Sequence, residues 1–281
     1  MAKITSISSL GWAHYTLYEA LPRMAARGFK RIEIASFSTY CFHFNYGSPI
    51  PAELKIMLQE LNLQPVCLNY HEGFHQAWNP DQMEQCVDAW TRKIQQVSEV
   101  GIPMMTMSFG IRNDRDDQER QRANAVKVYD RIGKIAASWG VRMLLEVPHL
   151  YGIMPRTEDV IWVFERLNNP NVGALVDSSH WGIIGYDLDE FLSQLGGRLW
   201  HIHLRDSTGS DTADFKQQLE LTPGKGTVDF QKFGQALDRA GYKGDVSIEF
   251  EYRDMTLDKI EQEFDLGLKH LVRVGWQLPK Q

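Results

Sequence analysis

The stretch LWHIHLRD (199–206) decides how this chain is read. Apolar residues alternate with histidines in it, the period of a β-strand, whose successive side chains point to opposite faces. Trp200, Ile202 and Leu204 then turn outward, while His201, His203 and Arg205 turn inward and climb towards the C-terminal end. The last run, DVSIEFE (245–251), has the same form, with Val246, Ile248 and Phe250 outward and Ser247, Glu249 and Glu251 inward. VGALVD (172–177) ends on Asp177 and VRMLLE (141–146) ends on Glu146. Four successive runs therefore finish on a residue able to bind a metal. Charged groups facing an interior are costly unless paired or metal-bound, so stability alone accounts poorly for their convergence.

Upstream lie four more runs: ITSIS (4–8), RIEIA (31–35), QPVCLN (64–69) and PMMTMS (103–108). Helix-like segments separate them. Met83, Cys86, Val87, Trp90, Ile94 and Val97 make one apolar stripe, and Ala125, Val128, Ile132, Ile135 and Trp139 another, both at helical spacing. Gly28, Gly101, Gly140 and Gly241 each precede a strand, where a helix end calls for a left-handed residue. Strict strand-then-helix alternation predicts a parallel α/β fold. Eight units favour a closed (β/α)8 barrel over an open doubly wound sheet, and such barrels commonly hold about 250 residues in one domain. Residues 1–281 are accordingly read as a single domain. The connections 36–51 and 205–227 are the longest, and long loops after barrel strands lie on the catalytic face.

Composition narrows the function. A formal charge of −6, from 30 basic and 36 acidic residues without a basic run, lacks the electrostatic footprint of nucleic-acid binding. It suits a small, neutral molecule as substrate. No stretch approaches the ~20 apolar residues of a membrane span, and MAKITSISSLGW (1–12) lacks a signal-peptide pattern. Cys41, Cys67 and Cys86 show no CxxC spacing and read as reduced thiols of a cytoplasmic protein. Cys67 and Cys86 fit plain core.

One imidazole and three carboxylates, from His203, Glu146, Asp177 and Glu249, form a hard ligand set for one divalent ion. Mn²⁺ is the first expectation, with Mg²⁺, Co²⁺ and Zn²⁺ as alternatives. An ion so placed polarises a carbonyl and stabilises an enediolate, the intermediate needed to move a proton beside C=O.

At these residues the chain resembles the sugar isomerase/epimerase superfamily of xylose isomerase-like TIM barrels. The pieces that carry the likeness are LLEVPH (144–149), the Asp177-Ser-Ser-His180 segment, HIHLRD (201–206), PGKGTVDF (223–230) and GYKGDVSIEFE (241–251). The resemblance implies Glu146, Asp177, His203 and Glu249 as metal ligands, Glu146 and Glu249 also as the catalytic proton carriers, and His180 as a substrate-binding histidine. Barrels of this kind are often dimers or tetramers. Ketose 3-epimerases carry an arginine where this chain has Gly209 and a glutamate where it has Gly152, so the pattern departs from a standard member of that group. The extra zinc ligands of endonuclease IV are also missing: no DxH precedes Pro223, and the fourth run ends in Ser108.

Several further residues reach towards the same end of the barrel. His71 and His75, with Glu72 between them, follow the third run, and His149 lies three residues past Glu146. His71 and His149 are read as substrate contacts, the alternative for each being ordinary loop chemistry. Trp12, after the first run with His14, is read as an aromatic wall of the pocket, against packing on the helix ring. Arg205 either binds substrate or pairs with Asp206. His201, one pleat below His203, reads as a core histidine. Pro223-Gly-Lys-Gly226 lacks the full pattern of a phosphate loop and reads as a lid. The leading expectation is a metal-dependent isomerase or epimerase of a small keto sugar. The alternative is a lyase that dehydrates an inosose-like or dehydroshikimate-like substrate, with His71, His149 or His180 as the acid. A catalytically silent sugar-binding barrel is the non-enzymatic alternative.

Overall fold

Each run forms a strand in the computed structural model, which describes residues 2–45, 48–71, 78–107, 111–208, 221–252 and 254–279. The strands are β1 (Ser6–Ser8), β2 (Arg31–Phe37), β3 (Gln64–His71), β4 (Met104–Thr106), β5 (Arg142–Glu146), β6 (Val172–Asp177), β7 (Leu199–Leu204) and β8 (Asp245–Ile248). They pair in parallel and in sequence order into a closed barrel. Closure sets Ser6 opposite Ser247 and Ile7 opposite Ile248, and the two serine hydroxyls meet at 2.7 Å.

Around the barrel run α1 (Leu17–Ala26), α2 (Pro51–Glu60), α3 (Met83–Val100), α4 (Gln118–Ser138), α5 (Thr157–Arg166), α6 (Ser178–Ile184), α7 (Leu188–Leu195), α8 (Phe230–Arg239) and α9 (Leu257–Arg273). Thr16 and Glu19 form a capping box at the start of α1, satisfying backbone donors that a helix start leaves open. Gly101 ends α3 at φ 86°, a conformation that costs a side-chain-bearing residue energy. Gly28, Gly140 and Gly241 share it, as the sequence predicts. The α3 stripe is buried from Cys86 to Val97. Trp139 departs from the α4 stripe: it lies just past the helix and is 42% exposed.

The main core fills the layer between strands and helices, joining Ile7, Ile34, Leu68, Met105, Leu145, Val176, Ile202 and Ile248 to helix residues such as Leu21, Ile94, Ile132 and Phe264. A smaller cluster of Val66, Cys67, Met104, Leu144 and Leu175 is separate from it. Trp200 packs against this smaller cluster, which corrects its outward assignment. The β6–β7 register shifts between Ala174 and Leu175, which breaks simple alternation at the start of β7. Gly173 leaves the space, since a Cβ there would sit 2.3 Å from the Trp200 ring. Beyond the shift the pleat holds, pairing Asp177 with His203 and His203 with Ser247.

All three cysteines are free and buried. Among the described residues no helix is long and apolar enough to cross a membrane.

Candidate metal centre and active site

Glu146 ends β5, Asp177 ends β6, His203 lies one residue short of the end of β7, and Glu249 follows β8. Each offers one ligand atom, and the four atoms all lie within 4.8 Å of one another. All four residues are buried. Nδ1 of His203 lies 3.1 Å from Oε2 of Glu249 and 3.9 Å from Oε1 of Glu146. Nδ1 of His203 and Oε2 of Glu249 are both buried without a hydrogen-bond partner. Buried polar atoms are ordinarily satisfied; these two meet only each other, at 3.1 Å and without hydrogen-bond geometry, as two ligands of one cation would. The donor set and its spacing fit a divalent cation.

A guanidinium lies among the carboxylates. Arg205 places Nη2 2.6 Å from Asp177 and Nη1 2.6 Å from Glu251, with Glu249 at 3.5 Å and Glu146 at 3.9 Å. Its Nε donates to the Ser179 hydroxyl at 3.3 Å. Burial would lower the Arg205 pKa, but Asp177, Glu249 and Glu251 raise it well above the usual value. Asp206 does not pair with Arg205. It turns into the glycine loop, where Gly224 and Gly226 N–H donate to Oδ2 at 2.8 and 2.9 Å, and Ser207 and Val228 N–H donate to Oδ1 at 2.8 and 3.1 Å. The loop expected as a lid is thus fastened to the barrel at these residues.

The two glutamates have different surroundings. Burial pushes Glu249 up to about 7 against the pull of His203 and Arg205. Burial also opposes ionisation of Glu146, but His71, His180 and His203 outweigh it and hold its carboxyl well below the usual range. Glu249 is further fixed by Asn69, whose amide donates to Oε1 at 2.5 Å.

His71 and His180 reach the site. His71 Nε2 is 3.6 Å from Glu146 Oε2, and His180 Nε2 is 4.0 Å from Glu146 Oε1. Nδ1 of His180 donates to the Pro148 carbonyl at 3.2 Å, which turns Nε2 towards Glu146. The His149 ring stands edge-on to that of His180 at 4.5 Å. Burial, with His180 adding to it, holds His149 well below its ordinary pKa. Trp12 is not brought to the cluster. It is fully buried, stacks on Phe264 of α9 at 4.4 Å and donates to Glu261 at 3.2 Å. Helix-ring packing thus takes the place of the expected pocket wall. His75, Glu72, Ser108 and Gly209 lie outside the described residues.

Two residues escaped the sequence reading, Asn69 and Glu33. Both sit in quoted strands, and strand alternation marks both as inward polar groups among apolar neighbours. Glu33 also forms, with Cys67 and His201, a second group of close ligand atoms, beyond the one ligand set expected from the sequence. It is a weak ligand set. Glu33 Oε2 already faces Nε2 of His201 and of His203 at 2.8 and 2.9 Å. Burial raises the Cys67 thiol well above its ordinary pKa, and a thiol is a far poorer ligand than a thiolate.

A family model described as "Xylose isomerase-like TIM barrel" matches residues 21–273. The chain belongs to the xylose isomerase-like TIM barrel family. Within the family it is 24% identical over 167 residues to inosose isomerase of Bacillus subtilis (strain 168), covering 58% of each chain. It is 26% identical over 178 residues to D-psicose 3-epimerase of Enterocloster bolteae, covering 58% of this chain and 54% of that one. The matched region thus spans little more than half the length of these two curated relatives. Inosose dehydratase of Geobacillus thermodenitrificans is 22% identical over 277 residues, 87% of this chain and 88% of that one. Among solved structures, the IOLI protein with a binding zinc atom superposes with a TM-score of 0.78 at 20% identity over 96% of each chain. A D-psicose 3-epimerase with D-tagatose from Clostridium cellulolyticum H10 gives 0.75 at 18% identity, over 96% of this chain and 98% of that one. The fold and the superfamily resemblance read from the motifs agree with these matches.

Proposed function

We propose that this chain is a divalent-metal-dependent isomerase or epimerase of a small keto sugar or keto-sugar derivative. The observation that carries this proposal is the convergence of the buried Glu146, Asp177, His203 and Glu249, one ligand atom from each lying within 4.8 Å of the others. The zinc bound by the IOLI protein and the D-psicose 3-epimerase among the relatives support it. Those four residues would hold the ion. When bound, it supplies Lewis-acid polarisation of a carbonyl and its neighbouring hydroxyl.

The chain's own residues supply the proton chemistry. Among the described residues the ion-pair partners of Glu146 stand at 3.6 Å and beyond, and Oε2 of Glu249 lies 3.1 Å from His203 without hydrogen-bond geometry. One carboxylate takes the proton from the carbon beside the carbonyl, and the other, or the same one, returns it to the neighbouring carbon or the opposite face. His180, with Nδ1 held by Pro148, presents Nε2 to a substrate hydroxyl. His71 borders the same carboxylate. Arg205 is committed to Asp177 and Glu251, so its role is to balance and orient the carboxylates.

A dehydratase is the second reading, because an inosose dehydratase is matched over 87% of this chain and 88% of its own. A carboxylate would remove the proton beside the carbonyl, and a histidine at Glu146 would protonate the β-hydroxyl as it leaves as water. A panel of keto sugars and keto polyols in D₂O, with Mn²⁺ or Zn²⁺ supplied, separates the two. Deuterium beside the carbonyl of an isomeric product supports the isomerase; loss of water supports the lyase. Metal binding without turnover of any panel member would count against both.

A further inference from the structure

One carboxylate oxygen holds two imidazoles in the barrel interior. Oε2 of Glu33, on β2, lies 2.8 Å from Nε2 of His201 and 2.9 Å from Nε2 of His203, both on β7. All three residues are fully buried. In the closed barrel β1 and β8 stand between these strands. Ser6 and Ser247, in contact across the β1–β8 seam, are small enough to let Glu33 reach β7.

An ionised carboxylate oxygen only accepts hydrogen bonds. Each imidazole must therefore present N–H at Nε2; a lone pair there would set oxygen against nitrogen without a proton between them. With Nε2 committed as donor, Nδ1 is the only atom of His203 able to ligate. It is buried and faces Glu249 at 3.1 Å and Glu146 at 3.9 Å, the two carboxylates that would share the cation with it.

We propose that Glu33 is a positioning residue of the metal centre: its shared oxygen fixes His203 with the proton on Nε2 and Nδ1 offered to the cation, and His201 is the second donor that holds that oxygen in place. The proposal rests on the metal-centre reading above. It follows the general pattern in which a ligand imidazole is oriented by an acceptor on its other nitrogen.

The native full-length chain tests the tautomer directly. In ¹⁵N NMR of its imidazoles, Nε2 of His201 and His203 should keep its proton with and without Zn²⁺, and addition of Zn²⁺ should shift Nδ1 of His203. A Zn²⁺-induced shift at Nε2 of His203 instead would overturn the proposal. Titration calorimetry with Zn²⁺ provides the second arm. Glu33→Gln keeps the volume and loses the charged acceptor, so the dissociation constant of the folded variant should rise by about 10–100-fold. A merely structural Glu33 would lower the melting temperature of the metal-free variant and leave that constant at its native value, which would also overturn the proposal. Absence of Zn²⁺ binding by the native chain would instead remove the metal centre itself, so the two failures are distinguishable.

Discussion

Asn69 donates to Oε1 of Glu249 at 2.5 Å, across the interior from β3 to the end of β8. The contact uses one oxygen of the glutamate and leaves the other beside His203. Thr106 fixes the amide in turn, its hydroxyl lying 3.2 Å from Asn69 Oδ1. Asn69→Ala should leave Glu249 free to rotate, with activity down about 10–100-fold, the usual effect of losing a support of this kind. Steady-state kinetics with metal content measured in parallel checks this. Native activity would show that Glu249 does not need the amide.

Glu146→Gln and Glu249→Gln should each abolish turnover while circular dichroism stays native. Loss of acid–base work alone amounts to roughly 10²–10⁴ in rate, and each variant also loses ligand charge. Near-native activity in either variant would remove that glutamate from the mechanism.

His180→Asn should reduce kcat/KM by about 10²–10³, the scale for deleting a hydrogen bond to a group that gains charge in the transition state. Metal content should be unchanged, because His180 is proposed as a substrate contact and lies outside the four-residue ligand group. Metal loss from this variant would assign it to the ion instead.

Elemental analysis of the purified protein should give about one divalent ion per chain, because the Glu33–Cys67–His201 group is already engaged. Chelation should lower the melting temperature and ion addition should restore it. Saturation at about 100 times the dissociation constant corresponds to about 2.7 kcal/mol of stabilisation. Two or three ions per chain would contradict this assignment.

Glu263 gives a pH-dependent term away from the centre. Its carboxylate is 2.6 Å from Lys225 and 2.8 Å from Lys259. Burial opposes its ionisation, but these lysines and Thr222 win and lower its pKa to about 2. A depressed carboxyl stabilises the fold above its unfolded pKa and loses that contribution as pH falls through the folded value. Chemical denaturation of the native chain and Glu263→Gln should therefore show a constant gap from pH 7 to about 5 that narrows towards pH 2. A gap independent of pH over that range would refute the ion-pair account.

The barrel was legible because each strand carries its own alternation, and so were Glu146, Asp177, His203 and Glu249 at the strand ends. What stayed hidden depends on distant partners. Glu33 and Asn69 looked like single polar residues in apolar strands, and their meaning lies 170 and 180 positions away, at His203 and Glu249. The use of Trp12 is set by Glu261, 249 positions on. Trp200 escaped because alternation assumes an unbroken register, whereas β6 and β7 slip by a residue at Ala174/Leu175. Arg205 and Asp206 are adjacent and of opposite charge, yet consecutive residues at a strand end face different ways, one into the barrel and one into the glycine loop.

That glycine loop also bears on whether it can hold an anion. From Gly224 to Val228 every backbone N–H has an internal acceptor: Asp206 for Gly224, Gly226 and Val228, Thr222 for Lys225, and Ser207 for Thr227. Lys225, the cation of the segment, is held by Glu263. A phosphate group would find no free backbone amide from Gly224 to Val228 and a resident carboxylate of its own sign, so this glycine-rich stretch is spent on the fold and is no phosphate cradle.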